Sequence, residues 1–273
     1  MPIGSAALAV TDLGAGHPIV FLHAGVADQR SWLGVVDALP RHLGMVRSVL
    51  YDRRGFGEST WVEETHSWVN DLVALLDLLE LEKAILVGNS QGGRIALDAA
   101  LVEPERVEAL VLIGAAVTGA PAPQRPVSAV TALVREIDAA EESGQLEQVN
   151  ELEAQLWLDG PSQRAGRVKG SARELFLDMN SRALHAHPTG SGSVDSNAWN
   201  RLAEISVPTL ALVGEFDLPH LVEQSRQLAL TMRACEFEIL EAMAHLPGLE
   251  GPERTAARIA QFLHPIIGQP VSL

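Results

Sequence analysis

Short apolar runs alternate with stretches of helical periodicity through the first 115 residues. Ile19-Val20-Phe21-Leu22 and Ala84-Ile85-Leu86-Val87 carry no polar alternate. That is the pattern of strands covered on both faces. Strands are predicted at Ala6–Val10, Pro18–His23, Ser48–Tyr51, Lys83–Val87 and Ala109–Ile113, and helices at Ser31–Leu39, Trp68–Leu79 and Gln91–Leu101. Leu72, Leu75, Leu76 and Leu79 share one helical face. Such a βα rhythm predicts a parallel sheet with crossover helices.

The rhythm breaks after Val117. Pro121, Pro123 and Pro126 open a region with no β run. Helical patterns follow at Val127–Glu142, Gln145–Leu158, Ala172–His185 and Trp199–Ile205. The βα rhythm returns with strands at Pro208–Val213 and Glu236–Leu240 and helices near Leu221–Leu230 and Glu253–Leu263. The reading is one α/β core, residues 1–117 and 206–273, interrupted by a helical cap at 118–205. Structured insertions of that length are usually functional lids.

Composition narrows the function. Hydrophobic residues make up 47% of the 273 and charged residues 20%, as in a globular chain. The 35 acids and 20 bases leave a net charge of −15. An acidic surface repels nucleic acid and anionic membranes, so neither is expected as a partner. Cys235 is alone, so no disulfide forms within the chain. The N-terminus lacks a basic region followed by an apolar stretch, so no signal peptide is expected and the cytoplasm is the default location. No apolar run reaches the roughly 20 residues of a membrane span. Oligomeric state is not legible.

The chemistry begins at Gly88-Asn89-Ser90-Gln91-Gly92-Gly93, a G-x-S-x-G turn between a buried strand and the helical stretch Arg94-Ile95-Ala96-Leu97. A nucleophile elbow requires that context. Glycines at 88 and 92 let strand and helix approach, and Ser90 sits at the tip of the turn. The N–H of Gln91, at the helix N-terminus, is placed to meet a developing oxyanion.

With these residues the chain resembles serine hydrolases of the α/β-hydrolase fold over nearly its whole length. The resemblance implies a mostly parallel sheet of the eight-stranded type, flanked by helices and carrying an inserted helical lid. It also implies a role for His23-Ala24-Gly25-Val26, where relatives carry an H-G-x oxyanion loop. Ala24 stands at the usual glycine; the second oxyanion donor is then the N–H of Gly25, with Val26 as the alternative. Asp52-Arg53-Arg54-Gly55-Phe56-Gly57-Glu58-Ser59 is similar to the family's D-x-R-G-x-G-x-S turn and reads as structural.

A serine hydroxyl needs a histidine base, and that base needs a carboxylate to orient it. On this fold the chain order is Ser, acid, His. Asp217, after the strand ending near Val213, and His245, after the strand ending at Leu240, fit that order. His23 reads as support for the oxyanion loop, Glu215 as a turn residue, and His220 as misplaced for the base. His185 and His187 raise a metal reading, but no third ligand comes at useful spacing. The loop after Ala109–Ile113 offers no competing carboxylate.

The expected chemistry is acyl transfer to water. The closest resemblance is to 3-oxoadipate enol-lactonase-like hydrolases and small carboxylesterases. It is carried by the serine turn, by Ile205-Ser206-Val207-Pro208-Thr209-Leu210 and by His245-Leu246-Pro247-Gly248-Leu249-Glu250-Gly251-Pro252. A small or medium, largely uncharged ester or lactone is expected, in a pocket lined by Val26, Trp157 and Leu246. Arg53 and Arg54 read as surface residues. Trp157 reads equally as lid core or as a residue over the site. The alternatives are a C–C bond hydrolase, to which Leu246 is unfavourable because such relatives usually place tryptophan there, and a cofactor-free haloperoxidase or perhydrolase. An acyltransferase and a non-catalytic ligand receptor on the same fold complete the set. No cofactor or metal motif is found.

Overall fold

The computed structural model describes residues 1–123, 127–192 and 196–268. Strands β1 (Pro2–Ile3) and β2 (Ala6–Ala7) form a small antiparallel hairpin. The main sheet contains β3 (Val10–Gly14), β4 (His17–Leu22), β5 (Val46–Tyr51), β6 (Ala84–Asn89), β7 (Val107–Ile113), β8 (Thr209–Gly214) and β9 (Cys235–Leu240). Their order is β3-β5-β4-β6-β7-β8-β9, and every neighbouring pair is parallel except β3 and β5. The main sheet thus has seven strands rather than eight. The single strand expected at 6–10 is divided: Ala7 pairs with Pro2 and with Thr60, while Val10 starts the edge strand against Tyr51.

The helices are α1 (Leu33–Leu43), α2 (Trp68–Leu78), α3 (Gln91–Val102), α4 (Ser128–Glu142), α5 (Leu146–Glu153), α6 (Ser171–Leu184), α7 (Ala198–Arg201), α8 (Pro219–Thr231), α9 (Pro247–Glu250) and α10 (Pro252–Ile267). Alternate strand residues feed two cores. Ile19 and Phe21 of β4 pack with Val35 and Leu39 of α1 and Ile259 and Leu263 of α10. Val20 and Leu22 face the other way, towards Leu72, Leu75 and Leu76 of α2 and Ile95 of α3. Burying each such side chain contributes about 1.5–3 kcal/mol, so these two layers hold the sheet rigid beneath the loops at its carboxyl edge.

Between β7 and β8 the regular elements of the described residues are helices, with a π-helical turn at Ala154–Asp159 after α5, and Gly192 forms an isolated bridge with His66. Pro121 and Pro123 lie in irregular chain; Pro126 lies outside the described residues. Asp159, fully buried, ends the π turn by accepting from the N–H groups of Gly166 and Val168 and from Arg173. The helical segment is tied to the strand-end loops at several places. Arg30 pairs with Asp178 at 2.7 Å, and Arg182 pairs with Glu58. Arg167 pairs with Glu250 and donates to the carbonyl of Ala242. Thr189 and Ser191 accept backbone bonds from Glu64 and His66. Among the described residues no helix is long and apolar enough to cross a membrane.

Candidate active site

β6 runs straight into α3 through Ser90, whose backbone is held at φ 54° and ψ −114°. A non-glycine residue there is strained by about 1–3 kcal/mol. The turn is tolerated because its neighbours are small. A Cβ on Gly88 would lie 2.5 Å from the backbone of Gly92, and one on Gly92 would lie 2.1 Å from the carbonyl oxygen of Leu22. The N–H of Ser90 donates to Ile113, and its carbonyl accepts from Ala116 and Arg94.

His245 and Asp217 come from the loops after β9 and β8. His245 Nδ1 lies 2.8 Å from Asp217 Oδ2, both groups buried. Asp217 Oδ1 accepts from the N–H of Leu218, fixing the carboxylate. The carboxylate accepts a hydrogen bond from Nδ1–H, which leaves Nε2 as the nitrogen free to accept a proton. Gly114 (φ 50°) lets the β7 loop pass beneath: a Cβ there would lie 2.8 Å from Asp217 Oδ2 and 3.1 Å from His245 Nδ1.

The rest of the imidazole's bed comes from outside its own loop. Asn89 Nδ2 donates to the carbonyls of Ile113 and His245. The His245 N–H donates to the carbonyl of Trp157, and the Trp157 ring lies 4.7 Å from the imidazole. Glu250 accepts from the N–H of Ala244. Trp157 is therefore both packed in the helical segment and in contact with His245.

Ser90, His245, Gly25, Val26, Gln91 and Trp157 line one cavity of about 260 Å³. Ala116 and Arg94, which the sequence reading passed over, line it too. Leu246 does not: it is buried in a cluster with Ala24, Ala27 and Phe176, beside the cavity rather than on its wall.

Arg53 and Arg54 are also not surface residues; they are 2% and 3% exposed. Arg54 is drawn in by Asp71 at 2.8 Å and Glu64 at 2.6 Å. Arg53 donates to Gln91 Oε1 at 2.7 Å and to the carbonyls of His23 and Ala24, so it joins the two segments flanking the cavity mouth. Burial pulls Arg53 down to about 10, still charged at neutral pH. His23 accepts from the N–H of Arg53 at Nε2 and reaches the carbonyl of Ala24 from Nδ1. Burial, and then the Arg53 charge, hold it well below 6.5 and neutral.

The 52–59 turn is structural in the way its residues suggest. Asp52 accepts from the N–H groups of Gln29 and Glu58, Ser59 Oγ donates to the carbonyl of Asp52, and Gly55 and Gly57 have positive φ. Glu215 accepts from the N–H of Ala242 and holds that turn. His220 lines a separate groove with Pro121 and Trp199. His185 and His187 are exposed, and among the described residues no cluster of metal-binding side chains is found.

Residues 17–229 match the model of the alpha/beta hydrolase fold family. A 2-hydroxy-6-oxo-2,4-heptadienoate hydrolase of Pseudomonas putida is 41% identical over 111 residues, 38% of this chain and 39% of that protein. The alignment thus spans about two fifths of that relative's length. A thermophilic esterase from Thermogutta terrifontis, solved with malate bound, superposes with a TM-score of 0.71 at 25% identity, covering 95% of this chain and 94% of that one. The enol-lactonase from Burkholderia xenovorans gives 0.71 at 19% identity, covering 96% and 98%, a likeness of fold.

Proposed function

Because the chain belongs to the α/β-hydrolase fold family, we propose that it cleaves a small carboxylic ester or lactone through an acyl-enzyme on Ser90. The observation that carries the reading is the buried 2.8 Å contact of His245 with Asp217 on the wall of the cavity that holds Ser90. Ser90 Oγ attacks the carbonyl carbon while His245 Nε2 takes its proton. The carbonyl oxygen becomes an oxyanion held by the N–H groups of Gln91 and Gly25. The C–O bond then breaks, and the imidazolium returns the proton to the leaving alkoxide. Water, deprotonated by the same Nε2, attacks the acyl carbon and frees Ser90. Asp217 stabilises the imidazolium at both stages. Residues 118–205 act as the cap, with Trp157 over the base.

The cavity holds the volume of roughly nine waters at about 30 Å³ each, so short acyl groups suit it. Hydrolysis of p-nitrophenyl esters from acetate to octanoate tests this. The expected optimum lies at acetate to butyrate, and Ser90→Ala loses about 10³-fold or more in kcat. Turnover that survives Ser90→Ala overturns the reading. A second reading rests on the Pseudomonas putida relative, whose named substrate has no ester bond: the same serine and base then hydrolyse a carbon–carbon bond. Turnover of 2-hydroxy-6-oxo-2,4-heptadienoate, with p-nitrophenyl acetate left intact, would select it.

A further inference from the structure

Arg94 stands one helical turn after Ser90 on α3 and lines the same cavity. Among the described residues on that wall it carries the one permanent charge; the others are Ser90, His245 and neutral groups. Within the protein its charge is met by one carboxylate, that of Asp98, at ion-pair rather than hydrogen-bond distance. Asp98 Oδ2 lies 3.7 Å from Arg94 Nε, beyond hydrogen-bonding distance, and Asp98 Oδ1 is engaged by the hydroxyls of Thr118 and Ser196. Arg94 Nε is buried without a hydrogen-bond partner. The guanidinium lies 5.8 Å from the Trp68 ring, a contact that steadies it without taking up its N–H donors in hydrogen bonds. A guanidinium on the wall of a small cavity, with donors that no protein acceptor takes, is suited to receive a carboxylate there.

We infer that Arg94 is a carboxylate subsite, and that the substrate is a mono-anionic ester or lactone with its carboxylate a few carbons from the scissile carbonyl. This rests on the serine-hydrolase reading of the same cavity. It replaces the uncharged substrate expected from the net charge of −15, because one local guanidinium at contact distance outweighs acids screened over about 10 Å of saline water. Positions 90 and 94 are roughly 6 Å apart along the helix axis. A linker of about two to four carbons spans that distance. Arg matches a carboxylate through two parallel N–H donors, which Lys cannot reproduce.

The test compares matched ester pairs: monoethyl glutarate against ethyl pentanoate for an acyl-side carboxylate, and 4-carboxyphenyl acetate against phenyl acetate for a leaving-group carboxylate. In the wild type, kcat/KM for the anion of one pair should exceed that of its neutral partner at least tenfold. Arg94→Met should reduce that ratio at least tenfold, and Arg94→Lys should give an intermediate ratio. A ratio unchanged by Arg94→Met, or no preference for the anion in either pair, overturns the subsite. If no ester turns over, calorimetric titration of Ser90→Ala protein with monoethyl glutarate decides. Binding weakened tenfold by adding Arg94→Met supports the subsite, and equal or absent binding overturns it. Turnover that persists in Ser90→Ala overturns the nucleophile alone, so the two failures are distinct.

Discussion

Asp217 meets His245 at 2.8 Å with neither group exposed, so the carboxylate has no water to replace the imidazole as partner. Asp217→Asn should keep the fold and lower kcat by about 10³–10⁴-fold, because an amide stabilises neither the tautomer nor the imidazolium; ester hydrolysis at saturating substrate measures it. Asn89 is the less visible support. Asn89→Ala leaves the carbonyls of Ile113 and His245 short of a donor, a loss of about 1–3 kcal/mol readable by urea unfolding, with a fall in kcat as the imidazole loses its bed. That Asp217 would meet His245 beside Ser90 was expected from a local turn and a chain order. Arg53, Arg94, Asn89 and Gly114 were not legible in sequence. Their roles depend on what burial brings beside them from other strands, and no local spacing encodes that. Arg53 and Arg54 look solvated in sequence; Asp71, Glu64 and a row of carbonyls make them interior.

The strand-to-helix turn is where an element tolerates least change. Gly92→Ala drives a Cβ onto the carbonyl of Leu22, a backbone atom that cannot step aside. The expected cost is about 2–3 kcal/mol or more, or loss of soluble protein, read as a drop in Tm. In the helical segment the weak point is Glu153, where α5 meets the π turn. Burial, opposed by the Asn180 amide, raises its carboxyl above the ordinary 4.5. The folded state therefore holds that proton more tightly than the unfolded chain, and stability falls as pH rises from 4.5 through the raised value. Glu153→Gln removes this dependence, so the Tm of the variant relative to wild type should climb between pH 4.5 and 7.5; a difference flat with pH would be the wrong outcome. Most elements were readable from periodicity, helix bounds in the insertion included. The edge strand β3 was not, because Val10–Gly14 is partly exposed and lacks the apolar run that marked β4 and β6.

At the scale of the molecule, 15 surplus negative charges repel one another across the whole surface. Salt screens that repulsion as well as the partly exposed pairs such as Arg30 with Asp178, and the former involves many more charges. Tm should therefore rise from 20 to 200 mM sodium chloride, as followed by circular dichroism; a fall would mean that the bridging pairs dominate. The change in rhythm at Val117 marks where helices take over between β7 and β8. Hidden from that rhythm was how closely those helices join the strand-end loops. The Trp157 carbonyl takes the N–H of His245 and its ring lies against the imidazole, so His245 is seated half on the loop after β9 and half on the helices between β7 and β8. A chimaera that exchanged residues 118–205 for those of a relative would not simply reset selectivity on an unchanged engine. It would remake the seat of His245 at the same time, so turnover rate is expected to change together with substrate range.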